Sequence, residues 1–209
     1  MTKQQIYRAV ERYKQQLAIE QADYPLDLVD LCQQRHWAAL ALVPFKTPLL
    51  RGMAVPSDDP EHNDVILLNG CQTREECNFY CGHELIHLGL HRNRVGQTFS
   101  CYETVMPNQN RYVEWQANEG GAELLVPYRL LFPALRARAK ELNAPRSREK
   151  LAQQLADEFF VSPAVMRVRF QSLQYELWQY CRGIAMDDLE FLSRQEQRIK
   201  GIDSSMLTF

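Results

Sequence analysis

The chain has 209 residues, of which 45% are hydrophobic and 24% charged, and a formal net charge of -2. That is the composition of a soluble globular protein with one large domain or two small ones, and it excludes a strongly basic nucleic-acid binder. The first twenty residues carry charges where a signal peptide has its apolar stretch, and no segment approaches the roughly 18 apolar residues of a membrane span, so the expected location is the cytoplasm.

Residues 3–20 form an amphipathic helix by pattern, with Ile6, Val10, Tyr13 and Leu17 on one face. Asp23 is placed to cap a second helix that has Pro25 in its first turn. Three short strands follow at 39–45, 51–57 and 64–69; the last, DVILLN, is apolar enough to be central in a small sheet. Thr73 caps a helix reaching His91 or Arg92. A loop then runs through VGQTFSCYETVMPN, and a helix near 110–126 is stopped by Pro127. Another short helix covers about 128–141. NAPRS (143–147) reads as a linker that divides the chain into 1–142 and a helical region 143–209. That region opens with two close helices, 148–159 and 163–174, and stays helical to about residue 200.

The helix after Thr73 contains His83-Glu84-Leu85-Ile86-His87, a match to H-E-x-x-H. Residues four apart share a helix face, so both histidines can reach one metal. Glu84 lies about 100° round the helix from His83, beside that metal, where a carboxylate can act as general base. A catalytic zinc needs a third protein ligand. Asn93 and Leu90 rule out a third histidine on the same helix at metzincin spacing, and His91 is about 80° away from His83, which marks it as a polar helix-end residue. The remaining arrangement takes a glutamate from a second helix, and Glu103, Glu114, Glu119 and Glu123 are the candidates. Cys71, Cys77 and Cys81, just upstream, are expected as core thiols, with a structural zinc as the alternative. Tyr80 is expected as a half-buried aromatic, with oxyanion stabilisation as its functional alternative.

Two segments together resemble the ImmA/IrrE-type metallopeptidases. EWQANEGGAELLVP (114–127) is similar to their E-x-x-A-N-x-x-A-x-x-L-L-x-P signature, and CGHELIHLGLH (81–91) to their AHELGHLLLH segment. The resemblance spans about residues 20–175 and is tight in these two helices. It implies an α+β, gluzincin-like core in which a small sheet packs on the two motif helices. It implies one zinc per chain on His83, His87 and Glu114, with Glu84 as base and Asn118 orienting a ligand. The implied activity is that of a zinc endopeptidase that cleaves a helix-turn-helix repressor of phage or mobile-element type. Ile86 stands where glycine is usual, Gly82 where alanine is, and Gly120-Gly121 where a bulky residue and alanine are. These departures bear on how the two helices pack.

Residues 148–173 have the rhythm of a helix-turn-helix, with Ser162 and Pro163 opening a second helix that carries Arg167 and Arg169. The alternative function is therefore a non-catalytic DNA-binding or antitoxin-like regulator. Against it, Pro163, Ala164 and Val165 are poor base readers, and Glu149, Asp157 and Glu158 repel phosphate. Packing on the core or docking of a protein partner is the expectation, with direct DNA binding not expected.

Overall fold

The computed structural model describes residues 1–47, 49–59, 61–92, 98–107, 109–138 and 145–203. Helix α1 (Lys3–Gln16) begins at Thr2, whose hydroxyl accepts from the Gln5 amide in a capping box, and buries Ile6 and Val10 completely. Helix α2 (Leu28–Gln34) starts later than the sequence suggests, because Asp27 and not Asp23 caps it, accepting from the Asp30 amide. Asp23 is used elsewhere: it accepts from the Glu20 amide in a short 3-10 turn and pairs with Arg35 at 3.1 Å.

The expected strands appear as β1 (Ala39–Val43), β2 (Leu50–Val55) and β3 (Val65–Asn69). A fourth, β4 (Phe99–Tyr102), lies inside the segment read as loop. It is four residues long, and its inward alternation of Phe99 and Cys101 is too short to register as a pattern. Among the described residues the sheet order is β1-β3-β2-β4, with β1 parallel to β3 and the other pairs antiparallel. The apolar β3 is interior, as read.

Helix α3 (Arg74–Leu90) lies between the sheet and helix α4 (Arg111–Leu125). Thr73 caps α3 by accepting from the Glu76 amide, and Asn110 caps α4 by accepting from the amides of Tyr112 and Val113. The departures in the motif helices prove mutually compensating. A Cβ on Gly121 would lie 3.0 Å from the His83 backbone nitrogen and 3.2 Å from the Gly82 carbonyl carbon, so the two backbones meet there. A Cβ on Gly120 would meet the Ile86 side chain at 3.1 Å. Ile86 fills the space that Gly120 leaves, so large and small have changed places across the contact.

Helix α5 (Tyr128–Ala137) follows Pro127. Residues 139–144, which include the end of the expected helix and the start of the expected linker, lie outside the described residues. Helix α6 (Pro145–Glu158) takes in the rest of that linker, with proline in the position that helix starts favour. Phe160 turns the corner at φ 54°, and Ser162 caps α7 (Pro163–Ser172). The chain continues through α8 (Gln174–Cys181), a 3-10 turn and α9 (Arg194–Ile199). One contiguous apolar cluster runs from Ile6 through α3 and α4 to Phe191. Asn78 of α3 donates to the Phe160 carbonyl at 2.8 Å, tying the corner between α6 and α7 to α3. No helix among the described residues is long and apolar enough to cross a membrane.

Candidate metal centre

His83, Glu84 and His87 are fully buried on α3. The Nε2 atoms of the two histidines converge to 3.0 Å. Glu114, in the first turn of α4, places carboxylate oxygens 3.4 Å from His83 Nε2 and 3.8 Å from His87 Nε2. Of the four glutamates open in the sequence, this is the one that joins the histidines. Glu103 pairs with Arg51 at 2.9 Å, and Glu119 and Glu123 both bond Arg169.

The donor set fits zinc. Ligand atoms of a tetrahedral zinc, each about 2.0–2.1 Å from the ion, lie roughly 3.3 Å apart. The three separations here bracket that value. The remaining ring nitrogens are held so that both Nε2 lone pairs face one point. His83 Nδ1 donates to Asn118 Oδ1 at 3.0 Å, which places the expected orienting residue on the expected ligand. His87 Nδ1 meets His91 Nδ1 at 3.0 Å, and His91 Nε2 meets Gln116 Oε1 at 3.2 Å. With the Gln116 amide in that orientation, His91 donates to it through Nε2 and accepts from His87 through Nδ1. His91 is thus a link that fixes the tautomer of His87, not a simple helix-end polar residue; the rotation that keeps it off the metal puts it behind the ligand. Gln116 carries no signal in the sequence beyond lying between Glu114 and Asn118.

Burial depresses the His87 pKa to about 4, which keeps the ring neutral as a ligand must be. Burial acts to raise the Glu114 pKa, but the two imidazoles beside it together outweigh this and hold the carboxyl at about 2. Glu84 behaves in the opposite way. Burial first, and then the charge of Glu114, push its pKa well above the ordinary carboxylate range. Both of its oxygens are buried without a hydrogen-bond partner among the described residues. Its neighbour across the sheet is Gly52, at an irregularity where β2 shifts register against β4. A Cβ on Gly52 would lie 2.8 Å from Glu84 Oε1, so glycine is what lets the strand approach the carboxylate.

The family model of the IrrE N-terminal-like domain, peptidase M78, matches residues 41–171. The chain belongs to this peptidase family. A search of curated proteins finds no match. The M78 match covers the sheet and both motif helices and runs on through α7.

Cys101 of β4 was not anticipated as part of an M78 site. Its sulfur, an imidazole nitrogen of His83 and a carboxylate oxygen of Glu84 lie within 4.8 Å of one another. Burial, then Glu84 and Glu114, push its thiol pKa up. It was missed because β4 was missed. Cys71, Cys77 and Cys81 join no metal-capable group among the described residues, and Cys77 and Cys81 point their thiols at the carbonyls of Asn69 and Leu28. They fit the reading as core thiols, except that Cys71 is exposed. Tyr80 is held protonated by burial, which raises its pKa to about 12.

Proposed function

We propose that this M78 peptidase is a zinc endopeptidase that holds one zinc per chain on His83, His87 and Glu114, with Glu84 as general base. The observation that carries the reading is a pair of bare imidazole nitrogens and a carboxylate converging beside a second carboxylate that has no hydrogen-bond partner among the described residues. A buried, unpartnered carboxylate is costly and persists in native proteins for a reason. A zinc held by His83, His87 and Glu114 would supply a Lewis acid for the scissile carbonyl and would make water more acidic.

Glu84 removes the proton of that water and delivers it to the leaving amine. Asn118 and the His91–Gln116 link keep both imidazoles aimed. Strand β4 pairs only with β2 among the described residues, and addition of an extended peptide along its other edge is the binding mode this reading expects.

The substrate implied by the family resemblance is a helix-turn-helix repressor, so that hydrolysis relieves repression. The α6–α7 pair serves packing or partner docking in this account, not DNA reading. Arg169 is buried in bonds to Glu119 and Glu123, and Arg167 pairs with Glu149 at 2.6 Å. Incubation of the zinc-loaded protein with the repressor encoded beside it tests the reading. A single cut is expected, absent with Glu84→Gln; an intact repressor with the wild-type protein contradicts it.

A further inference from the structure

Four cysteines are buried among the described residues, and three of them turn their thiols to backbone carbonyls: Cys32 to Ala38, Cys77 to Asn69 and Cys81 to Leu28. Cys101 of β4 turns to side chains instead. Its sulfur, an imidazole nitrogen of His83 and a carboxylate oxygen of Glu84 all lie within 4.8 Å of one another. The backbone puts the thiol there. Cys101 pairs with Gly52 across β2 and β4, and cross-strand partners present their side chains on one face. That face is the one on Glu84, since a Cβ on Gly52 would meet Glu84 Oε1 at 2.8 Å. Two residues earlier, on the same face of the strand, Phe99 stacks on His87 with ring centroids 4.4 Å apart. Strand β4 thus sets one side chain by each histidine of the metal centre, a ring on His87 and a thiol near His83.

His83 therefore belongs to two groups of ligand atoms, one with His87 and Glu114 and one with Glu84 and Cys101. All five residues are buried. Both Glu84 oxygens lack a hydrogen bond among the described residues, so an unmatched carboxylate is aimed at the same sulfur and nitrogen. The two groups differ in softness. Imidazole and carboxylate in the first suit zinc, whereas the thiolate of the second adds a preference for softer ions. They differ in charge as well. Glu84 and a Cys101 thiolate together balance a divalent ion, as a buried site favours, while Glu114 alone leaves one positive charge unanswered by the protein.

We propose that His83, Glu84 and Cys101 form a second metal position, alternative to the one on His83, His87 and Glu114, and that it takes thiophilic divalent ions such as cadmium. Binding replaces the S–H bond of Cys101 by a sulfur–metal bond and releases the thiol proton to solvent; nothing is oxidised or reduced. His83 Nδ1 is committed to Asn118, which leaves one ring nitrogen for both positions, so one ion per chain is held at a time. An ion at the second position occupies Glu84. On the proposed peptidase reading, on which this consequence rests, the base is then withheld and the chain is inactive while thiophilic metal is bound.

The test uses the full chain, stripped of metal and loaded with one equivalent of cadmium or of zinc. X-ray absorption should show one sulfur ligand at cadmium in the wild type and none at zinc. In chelator competition, Cys101→Ser should lower cadmium affinity at least about tenfold and move zinc affinity less than about threefold, and Glu114→Gln should do the reverse. The wild-type absorption spectra decide the matter if Cys101→Ser does not fold. Only nitrogen and oxygen at cadmium, or a cadmium affinity indifferent to Cys101→Ser, overturns the second position; zinc still bound through Glu114 then leaves the peptidase reading in place. A sulfur ligand at zinc also overturns it, because the two ions would share one position. A cadmium–sulfur signal lost in Cys71→Ser or Cys181→Ser, and kept in Cys101→Ser, assigns the sulfur to an exposed thiol and overturns it likewise. Cadmium held through Cys101 in a chain that binds no zinc supports the second position and strikes the peptidase reading.

Discussion

Helix α4 carries two buried clusters of charge. In its first turn Glu114 faces two imidazoles, and the nearby Glu84 carboxylate has no hydrogen-bond partner among the described residues. Further along, Glu119 and Glu123 meet Arg169, with Tyr7 and Ser172 donating to Glu119. Lys3 and Glu176, both buried, form a neighbouring pair at 3.0 Å. The second cluster is more nearly matched, with only one oxygen each of Glu123 and Glu176 left without a hydrogen bond among the described residues: it fastens α1 and α7 to α4 and joins residues on both sides of position 143. The first is open. Buried polar groups that complete one another hold a fold together, whereas buried groups that converge and remain incomplete await something.

The largest effect should come from breaking the closed cluster. Arg169→Ala leaves two buried carboxylates facing one another, and a loss of about 3–5 kcal/mol is expected in a denaturant titration. A loss under about 1 kcal/mol would mean that the cluster is less closed than its geometry.

The open cluster should respond to its metal instead. Chelation should lower the thermal midpoint, and free zinc at about 1,000 times its Kd should restore about 4 kcal/mol. A midpoint indifferent to chelator and to added zinc would show that nothing completes the site.

Asn118→Ala removes only the hold on His83 Nδ1 and should weaken zinc binding about 10–100-fold, read by competition with a chromophoric chelator, with little change in apo-protein stability. Equal affinity would show that packing alone aims the ring.

Gly121→Ala presses a methyl on the α3 backbone and should cost about 1–3 kcal/mol in the same titration. An unchanged midpoint would mean that the helices can separate freely.

The smallest effect sets the scale for Arg169. Arg167→Ala breaks an exposed pair and should cost less than about 1 kcal/mol. A loss comparable to that of Arg169→Ala would remove the distinction between buried and exposed charge on α7.

Much of the open site was legible because its chemistry is local. His83, Glu84 and His87 are fixed by helical spacing, and Thr73 marks the start of their helix. Glu114 needed more, since Glu103, Glu114, Glu119 and Glu123 look alike until the fold assigns partners. The closed cluster was not legible, because Arg169 finds Glu119 and Glu123 across about fifty residues of chain. For the same reason Arg169 stood in the sequence only as one of two arginines on a helix expected to pack or dock, with base reading as the alternative. Strand β4 was too short for periodicity, and Cys101 was lost with it. The exchange of Ile86 for Gly120 looked like two separate departures along the chain and became one contact only when the helices were set side by side.

Zinc stoichiometry by elemental analysis, on protein purified without added metal and then on protein dialysed against buffered zinc, tests the open site most directly. The account predicts close to one zinc per chain for the wild type and for Glu84→Gln, and close to none for His83→Ala with His87→Ala. Equal zinc in the double variant and the wild type would contradict it.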